Sequence, residues 1–135
     1  GLGVSAIGRI GDSYSQNARD LIGYYAALDA GRLPVVRGLA LDEDDVIRRE
    51  LINELMCHGT LDKQAFGARH RLVFDEYFVR ERQRLVPLLH DGLVLESPRE
   101  VRVTSRGRLL LRIIAMCFDA YLDDAAQAPR YSRVI

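Results

Sequence analysis

Tryptophan is absent and lysine nearly so: of the nineteen Lys and Arg residues, Lys63 is the one that is not arginine. That bias fits a GC-rich coding sequence better than any physical requirement. Nineteen acids balance the nineteen bases, so the chain has no net charge. A neutral chain lacks the electrostatic footprint of a nucleic-acid or anionic-membrane binder, although local patches remain compatible with it. Cysteine is scarce. Cys57 and Cys117 each sit in an apolar run, LMC and IAMCF, which suits reduced thiols in a cytosolic core rather than a disulfide framework. No apolar stretch approaches the ~18–20 residues of a membrane span, and no basic leader with a cleavage site is present. The chain reads as cytoplasmic, with no membrane and no nucleic-acid partner. It opens on Gly1 in mid-pattern rather than on methionine, so a piece of a longer protein is expected.

What is present is one domain's worth of sequence. The 135 residues with 48% apolar side chains are enough for a single core without staples. The opening GLGVSAIGRIGDSYSQN places glycine at positions 1, 3, 8 and 11. Residues 1–11 read as a strand or extended segment ending in a loop. Residues 12–30 read as a helix, capped by Asp12 or Ser13 and carrying Leu21, Tyr24, Tyr25 and Leu28 at helical spacing. Gly31 and Pro34 stop it, and LPVVRGLAL is an extended connector.

A better-defined unit starts at Asp42, with Asp45 three residues on as the second half of a helix start. Ile47, Leu51 and Leu55 form its apolar stripe, flanked by Ile52 and Met56, and Gly59 ends it. A short helix is expected from Asp62. Another runs from Phe74 to His90, where Pro87 predicts a kink or early end. Leu93–Leu95 and Val101–Val103 are β-prone runs joined by a Ser-Pro-Arg-Glu turn. Thr104 caps a closing helix whose expected core face is Leu110, Ile113, Ile114, Cys117, Phe118 and Tyr121. The predicted fold class is mainly α (α+β), a helical winged-helix-like domain with one small β-hairpin.

The residues that carry chemistry are few. A phosphate loop needs Gly-Lys-Ser/Thr entering a helix, and no lysine stands there; a GxGxxG match fails because Ala6 occupies the third glycine's place. The glycines therefore serve either a tight turn or a backbone that approaches a ligand beside a helix start near Asp12. His58, His70 and His90 are too widely spaced for a ligand pair on one helix face. Asp44-Asp45 and Asp123-Asp124 read as a helix N-terminus and a solvated edge. The expected recognition helix carries Arg80, Arg82 and Arg84 against Asp75, Glu76 and Glu81, so its charge cancels. Arg9, Arg37, Arg130 and Arg133 are candidates to pair with an acidic ligand.

The runs GVSAIGRIGDSYSQN, RGLALDEDDVIRRELINELMC, DGLV with VTSRGRLLLRIIAMCFDAYL, and the terminal YSRVI resemble the C-terminal portion of the oxygen-independent coproporphyrinogen III oxidases, a radical S-adenosylmethionine family. The resemblance covers essentially the whole chain. It implies a parent enzyme of haem synthesis in which a 4Fe-4S cluster cleaves S-adenosylmethionine. The resulting radical takes a hydrogen from a propionate of coproporphyrinogen III, and loss of carbon dioxide and an electron leaves a vinyl group, twice over. The family's CxxxCxxC cluster motif is absent here, so the metal ligands and catalytic residues are expected in a missing N-terminal barrel, and this piece alone is expected to be inactive. Residues 1–41 would be the end of that barrel and a connector, residues 42–125 a winged-helix-like domain closing the barrel mouth, and residues 126–135 a tail. Ile7, in the GxxxI stretch, would contact S-adenosylmethionine. A related haem chaperone and a stand-alone DNA-binding winged helix are the alternative readings. Without its barrel the piece would expose apolar surface, which makes an artefactual dimer of it the expected oligomer.

Overall fold

The structure is a computed structural model that describes residues 1–122. The tail at 126–135, with Arg130, Arg133 and YSRVI, and the pair Asp123-Asp124 lie outside the described residues. The chain divides into two compact units, Gly1–Val46 and Ile47 onward.

In the first unit three strands, β1 (Ile7–Ile10), β2 (Ser13–Asn17) and β3 (Val35–Ala40), form an antiparallel sheet in that order. Helix α1 (Leu21–Asp29) lies between β2 and β3 in sequence. The helix expected over 12–30 is therefore half strand. Gly11 and Asp12 link β1 to β2, with Gly11 at φ 55°, and the Ser13 hydroxyl donates to the Ile10 carbonyl at 2.8 Å to close the turn. Once turned, residues 13–16 pair with β1 on one side and β3 on the other, and two ladders outweigh a weak helical pattern. The helix starts at Asp20, whose carboxylate accepts from the Gly23 amide at 2.7 Å.

The second unit has the connectivity of a winged helix. It comprises α2 (Glu43–His58, entered from the first unit), β4 (Thr60–Asp62), α3 (Lys63–His70), α4 (Phe74–Tyr77), α5 (Val79–His90), β5 (Val94–Glu96), β6 (Glu100–Val103) and α6 (Leu111–Met116). The expected hairpin, β5–β6, is there, and β4 joins it to give an antiparallel sheet of order β4-β6-β5. α2 begins as its sequence dictates. The Asp45 amide donates to Asp42 at 2.8 Å and the Asp42 amide returns a bond to Asp45 at 3.3 Å, a reciprocal cap. Ile47, Leu51 and Leu55 are its buried residues.

Three expectations here are corrected. The helix expected over 74–90 breaks at Phe78 (φ −103°, ψ 35°), giving α4 and α5. Pro87 sits inside α5, and the helix continues to His90. Of the expected closing face, Ile114, Cys117 and Phe118 are buried, whereas Leu110, Ile113 and Tyr121 are exposed. Thr104 caps as expected, its hydroxyl accepting from the Gly107 amide at 3.1 Å, but the turn it starts (Gly107–Leu110) is 3-10 before α6 begins.

The core of this unit gathers Leu51, Leu55, Leu61, Phe66, Phe74, Phe78, Leu85, Val94, Val101, Ile114 and Phe118. Phe78 lies at its centre, with ring centroids 4.9 Å from Phe74 and 5.6 Å from Phe118. The Arg48 guanidinium lies 5.6 Å from the same ring.

Candidate functional site

The glycine-rich opening is held as a defined loop at the end of the first sheet. The Asn17 side-chain amide, itself buried, donates to the carbonyls of Gly1 at 3.1 Å and Gly3 at 2.9 Å. Gly3 N–H donates to the Tyr24 hydroxyl at 3.1 Å, and Ser5 N–H to the Ala18 carbonyl at 2.7 Å. Thus β2 and α1 each supply a clamp. Neither Asn17 nor Tyr24 was singled out for this role from the sequence, because nothing local links them to residues fourteen or twenty-one positions away.

The glycines find their explanation in the chain itself. A Cβ at Gly8 would stand 2.5 Å from the Gly1 nitrogen, so that glycine admits the opening residue's own backbone. Gly3 turns at φ 102°, a conformation that other residues rarely adopt. No helix begins at Asp12, so of the two readings of the glycines the one that relied on a helix start there loses that support. What the loop presents outward is Ile7, on edge strand β1 paired with Gln16 and 68% exposed.

The second unit carries a different constellation. Lys63, the single lysine, is 4% exposed; its Nζ lies 2.8 Å from Asp75 and 2.6 Å from Glu96. Arg82 Nε reaches the same Glu96 oxygen at 2.7 Å. The alternating charges tie α3, α4, α5 and β5 together, the buried ammonium and the Arg82 guanidinium bridging the same two carboxylates. Sequence reasoning did not find it, because its members lie 12 to 33 positions apart. Arg48 pairs with buried Glu81 at 2.6 Å, and Arg84 donates to the carbonyls of Cys117 at 3.2 Å and Asp119 at 3.3 Å.

These bonds bear on nucleic-acid recognition. Of the three arginines of α5, Arg82 and Arg84 are committed within the domain, and so is the acid Glu81. A groove-reading helix needs such cations free for phosphates.

Cys57, expected in the core, is exposed on α2: Leu55 points inward, and a residue two positions on lies about 200° round the helix. Cys117 is buried, and burial pushes its thiol above the ordinary value, against the opposing charge of Arg84. His58 and His90 are exposed; His70 stacks on Phe66 with centroids 4.4 Å apart, its Nε2 lying 3.2 Å from Glu50. Among the described residues no group of His, Cys, Asp and Glu is arranged to hold a metal ion, and two cysteines in all cannot supply three cluster thiolates. Among them, too, no helix is long and apolar enough to cross a membrane.

Fold and site together define a winged-helix-type domain in which Arg48, Lys63, Arg82 and Arg84 are bonded within the domain, preceded in sequence by a sheet unit with a clamped glycine loop. A family model described as the HemN C-terminal domain matches residues 41–110, and the chain belongs to that family. Over the whole chain it is 47% identical to an oxygen-independent coproporphyrinogen III oxidase of Salmonella typhimurium, covering 30% of that protein. The figures are 44% and 30% for the Escherichia coli protein of the same name, and 42% and 29% for that of Pseudomonas aeruginosa. A solved structure titled as coproporphyrinogen III oxidase (HemN) from Escherichia coli, a radical SAM enzyme, superposes with a TM-score of 0.84 at 44% identity over 89% of this chain and 28% of that one. The chain therefore spans less than a third of the length of these relatives.

Proposed function

We propose that this chain is the C-terminal part of an oxygen-independent coproporphyrinogen III oxidase, a cytoplasmic enzyme of haem biosynthesis. Its activity is the oxidative decarboxylation of two substrate propionates to vinyl groups, giving protoporphyrinogen IX. The observation that carries the reading is likeness to proteins of that name, along the entire chain in sequence and over 89% of it in fold. The division of labour is residues 1–41 as the end of the upstream barrel and its connector, residues 42–125 as the closing domain, and residues 126–135 as a tail.

S-adenosylmethionine and a 4Fe-4S cluster would be the cofactors of this chemistry, the cluster held by residues outside this chain, and together they would supply its hydrogen-abstracting radical. The cysteines here do not fit the cluster, so the metal site belongs to the rest of the protein and this piece alone has no oxidase activity. What these residues supply is position and cover. The loop clamped by Asn17 and Tyr24 fixes where Ile7 projects, and an exposed apolar side chain on a rigid edge strand suits contact with the adenosyl part of S-adenosylmethionine.

The test is Ile7→Trp in the full-length protein. S-adenosylmethionine affinity should fall at least ten-fold by equilibrium binding while the cluster's visible absorbance stays unchanged. Unaltered binding and turnover would remove Ile7 from the site. Conversion of coproporphyrinogen III by the unmodified full-length protein tests the activity itself.

A further inference from the structure

Ile7 pairs with Gln16 across β1 and β2, and Gln16 pairs with Arg37 across β2 and β3, so the three side chains stand in one row on one face of the first sheet. Two residues along each strand, Arg9, Tyr14 and Leu39 form the next row of the same face. The opposite face carries Gly8, Ser15 and Gly38. The chain's own opening closes over it there, since a Cβ at Gly8 would stand 2.5 Å from the Gly1 nitrogen. Both arginines of the sheet thus share the face of Ile7, away from the opening loop. Arg9 is engaged with its own turn, its Nε donating to the Gly11 carbonyl at 3.3 Å. Arg37 is exposed, and nothing among the described residues bonds to its guanidinium. The three strands contain no acid to neutralise it. Cations of the second unit are held by carboxylates, as Lys63 and Arg48 are; Arg37 presents an open fork.

We propose that Arg37 is a substrate-binding residue whose guanidinium takes a propionate carboxylate of the porphyrinogen. The inference rests on the proposed activity and on the contact proposed for Ile7. Neighbouring strands lie about 4.8 Å apart, so the Arg37 backbone stands about 10 Å from that of Ile7, with Gln16 between them. A radical formed on the adenosyl part needs the substrate in contact with it, and a substrate with several propionates then brings carboxylates to the surrounding surface. A planar guanidinium takes one of them through two parallel bonds and so fixes the macrocycle's orientation as well as its place. The amino-acid end of S-adenosylmethionine is the poorer occupant. It carries an ammonium beside its carboxylate and so needs an acid as well as a base, and these strands offer cations alone. A polycarboxylate needs only the cation.

The experiment compares Arg37→Gln and Arg37→Lys with the unmodified full-length protein, by equilibrium binding under anaerobic conditions. Affinity for coproporphyrinogen III should fall about ten-fold or more in Arg37→Gln, and by less in Arg37→Lys, which keeps the charge and loses the fork. Affinity for S-adenosylmethionine should hold in both. The reverse result, with S-adenosylmethionine weakened and the porphyrinogen not, gives the carboxylate to the cofactor and overturns the proposal. Unchanged affinity for both ligands overturns it too. The methyl ester of the porphyrinogen separates recognition from mere disturbance of the sheet. Having no carboxylate to offer, it should bind Arg37→Gln and the unmodified protein alike. If the ester loses as much affinity as the acid, Arg37 is structural and the proposal fails. Should the unmodified protein bind coproporphyrinogen III in this Arg37-dependent way yet not convert it, the proposed activity is wrong and the binding site stands.

Discussion

The two units are built from the same kinds of residue and solve opposite problems. In the second, four phenylalanines and a ring of aliphatic side chains close on themselves. In the first, α1 has no buried residue and every position of β3 is exposed. Leu2, Ile10, Ile22 and Leu33 are each more than 80% in water. Yet the first unit is well formed, with two antiparallel ladders, a single register shift between Gln16 and Asn17, and a capped helix. Hydrogen bonds and caps therefore suffice to specify its local shape, while the apolar burial that stabilises such a shape is missing. A nine-residue helix is marginal in isolation. The contrast is between a unit whose apolar side chains lie largely in water and one whose apolar side chains are buried among themselves.

The largest effect that tests the contrast lies in the second unit. Phe78→Ala empties the middle of the aromatic cluster and should cost about 3–5 kcal/mol, read as a lower urea midpoint by far-ultraviolet circular dichroism. A loss below about 1 kcal/mol would mean that this core collapses freely around a void. A smaller and strictly local effect belongs to the first unit. Asn17→Ala leaves the Gly1 and Gly3 carbonyls without their donor and should cost about 1–2 kcal/mol. The readout is faster hydrogen exchange of the amides of Gly3 to Ala6, with those of the second unit unchanged. If the amides of Leu51 or Val101 also exchange faster, the two units are one cooperative body and the contrast dissolves.

How much of this was legible depended on range. The reciprocal cap of Asp42 and Asp45, the inward stripe Ile47–Leu51–Leu55 and the Asp62 start are signals within one or two turns, and each was readable. The β1–β2 link is equally local, yet the expected helix over 12–30 overlaps it. Gly11-Asp12 between two short runs is a two-residue hairpin signal, obscured by extending the α1 pattern back to Asp12. The break at Phe78 has no glycine, proline or capping side chain to announce it; it follows from fitting that ring among Phe66, Phe74 and Phe118, which is tertiary information. The same holds for the Lys63 network and the Asn17 clamp. Leu110 and Ile113 look like core by composition, and sequence alone cannot say which surface covers them.

The smallest expected effect probes the seam within the second unit where β4 hands over to α3. Asp62 accepts from the Ala65 amide at 2.8 Å and lies 3.4 Å from the Arg99 guanidinium. The backbone bond foremost, and Arg99 after it, hold its carboxyl below its ordinary value of 3.8. Because the folded state prefers the charged form, the unfolded chain binds the proton more readily. The cap's contribution is thus fully present above the unfolded value and fades as pH falls through the folded one. Asp62→Ala should accordingly lower the urea midpoint at neutral pH, and the gap from the parent chain should narrow steadily below about pH 4. Asp62→Asn, which keeps an acceptor oxygen but no charge, should sit between them at neutral pH and show no such narrowing against Asp62→Ala. A gap that stays constant down to the acid limit would assign the whole cap to hydrogen-bond geometry and none to charge.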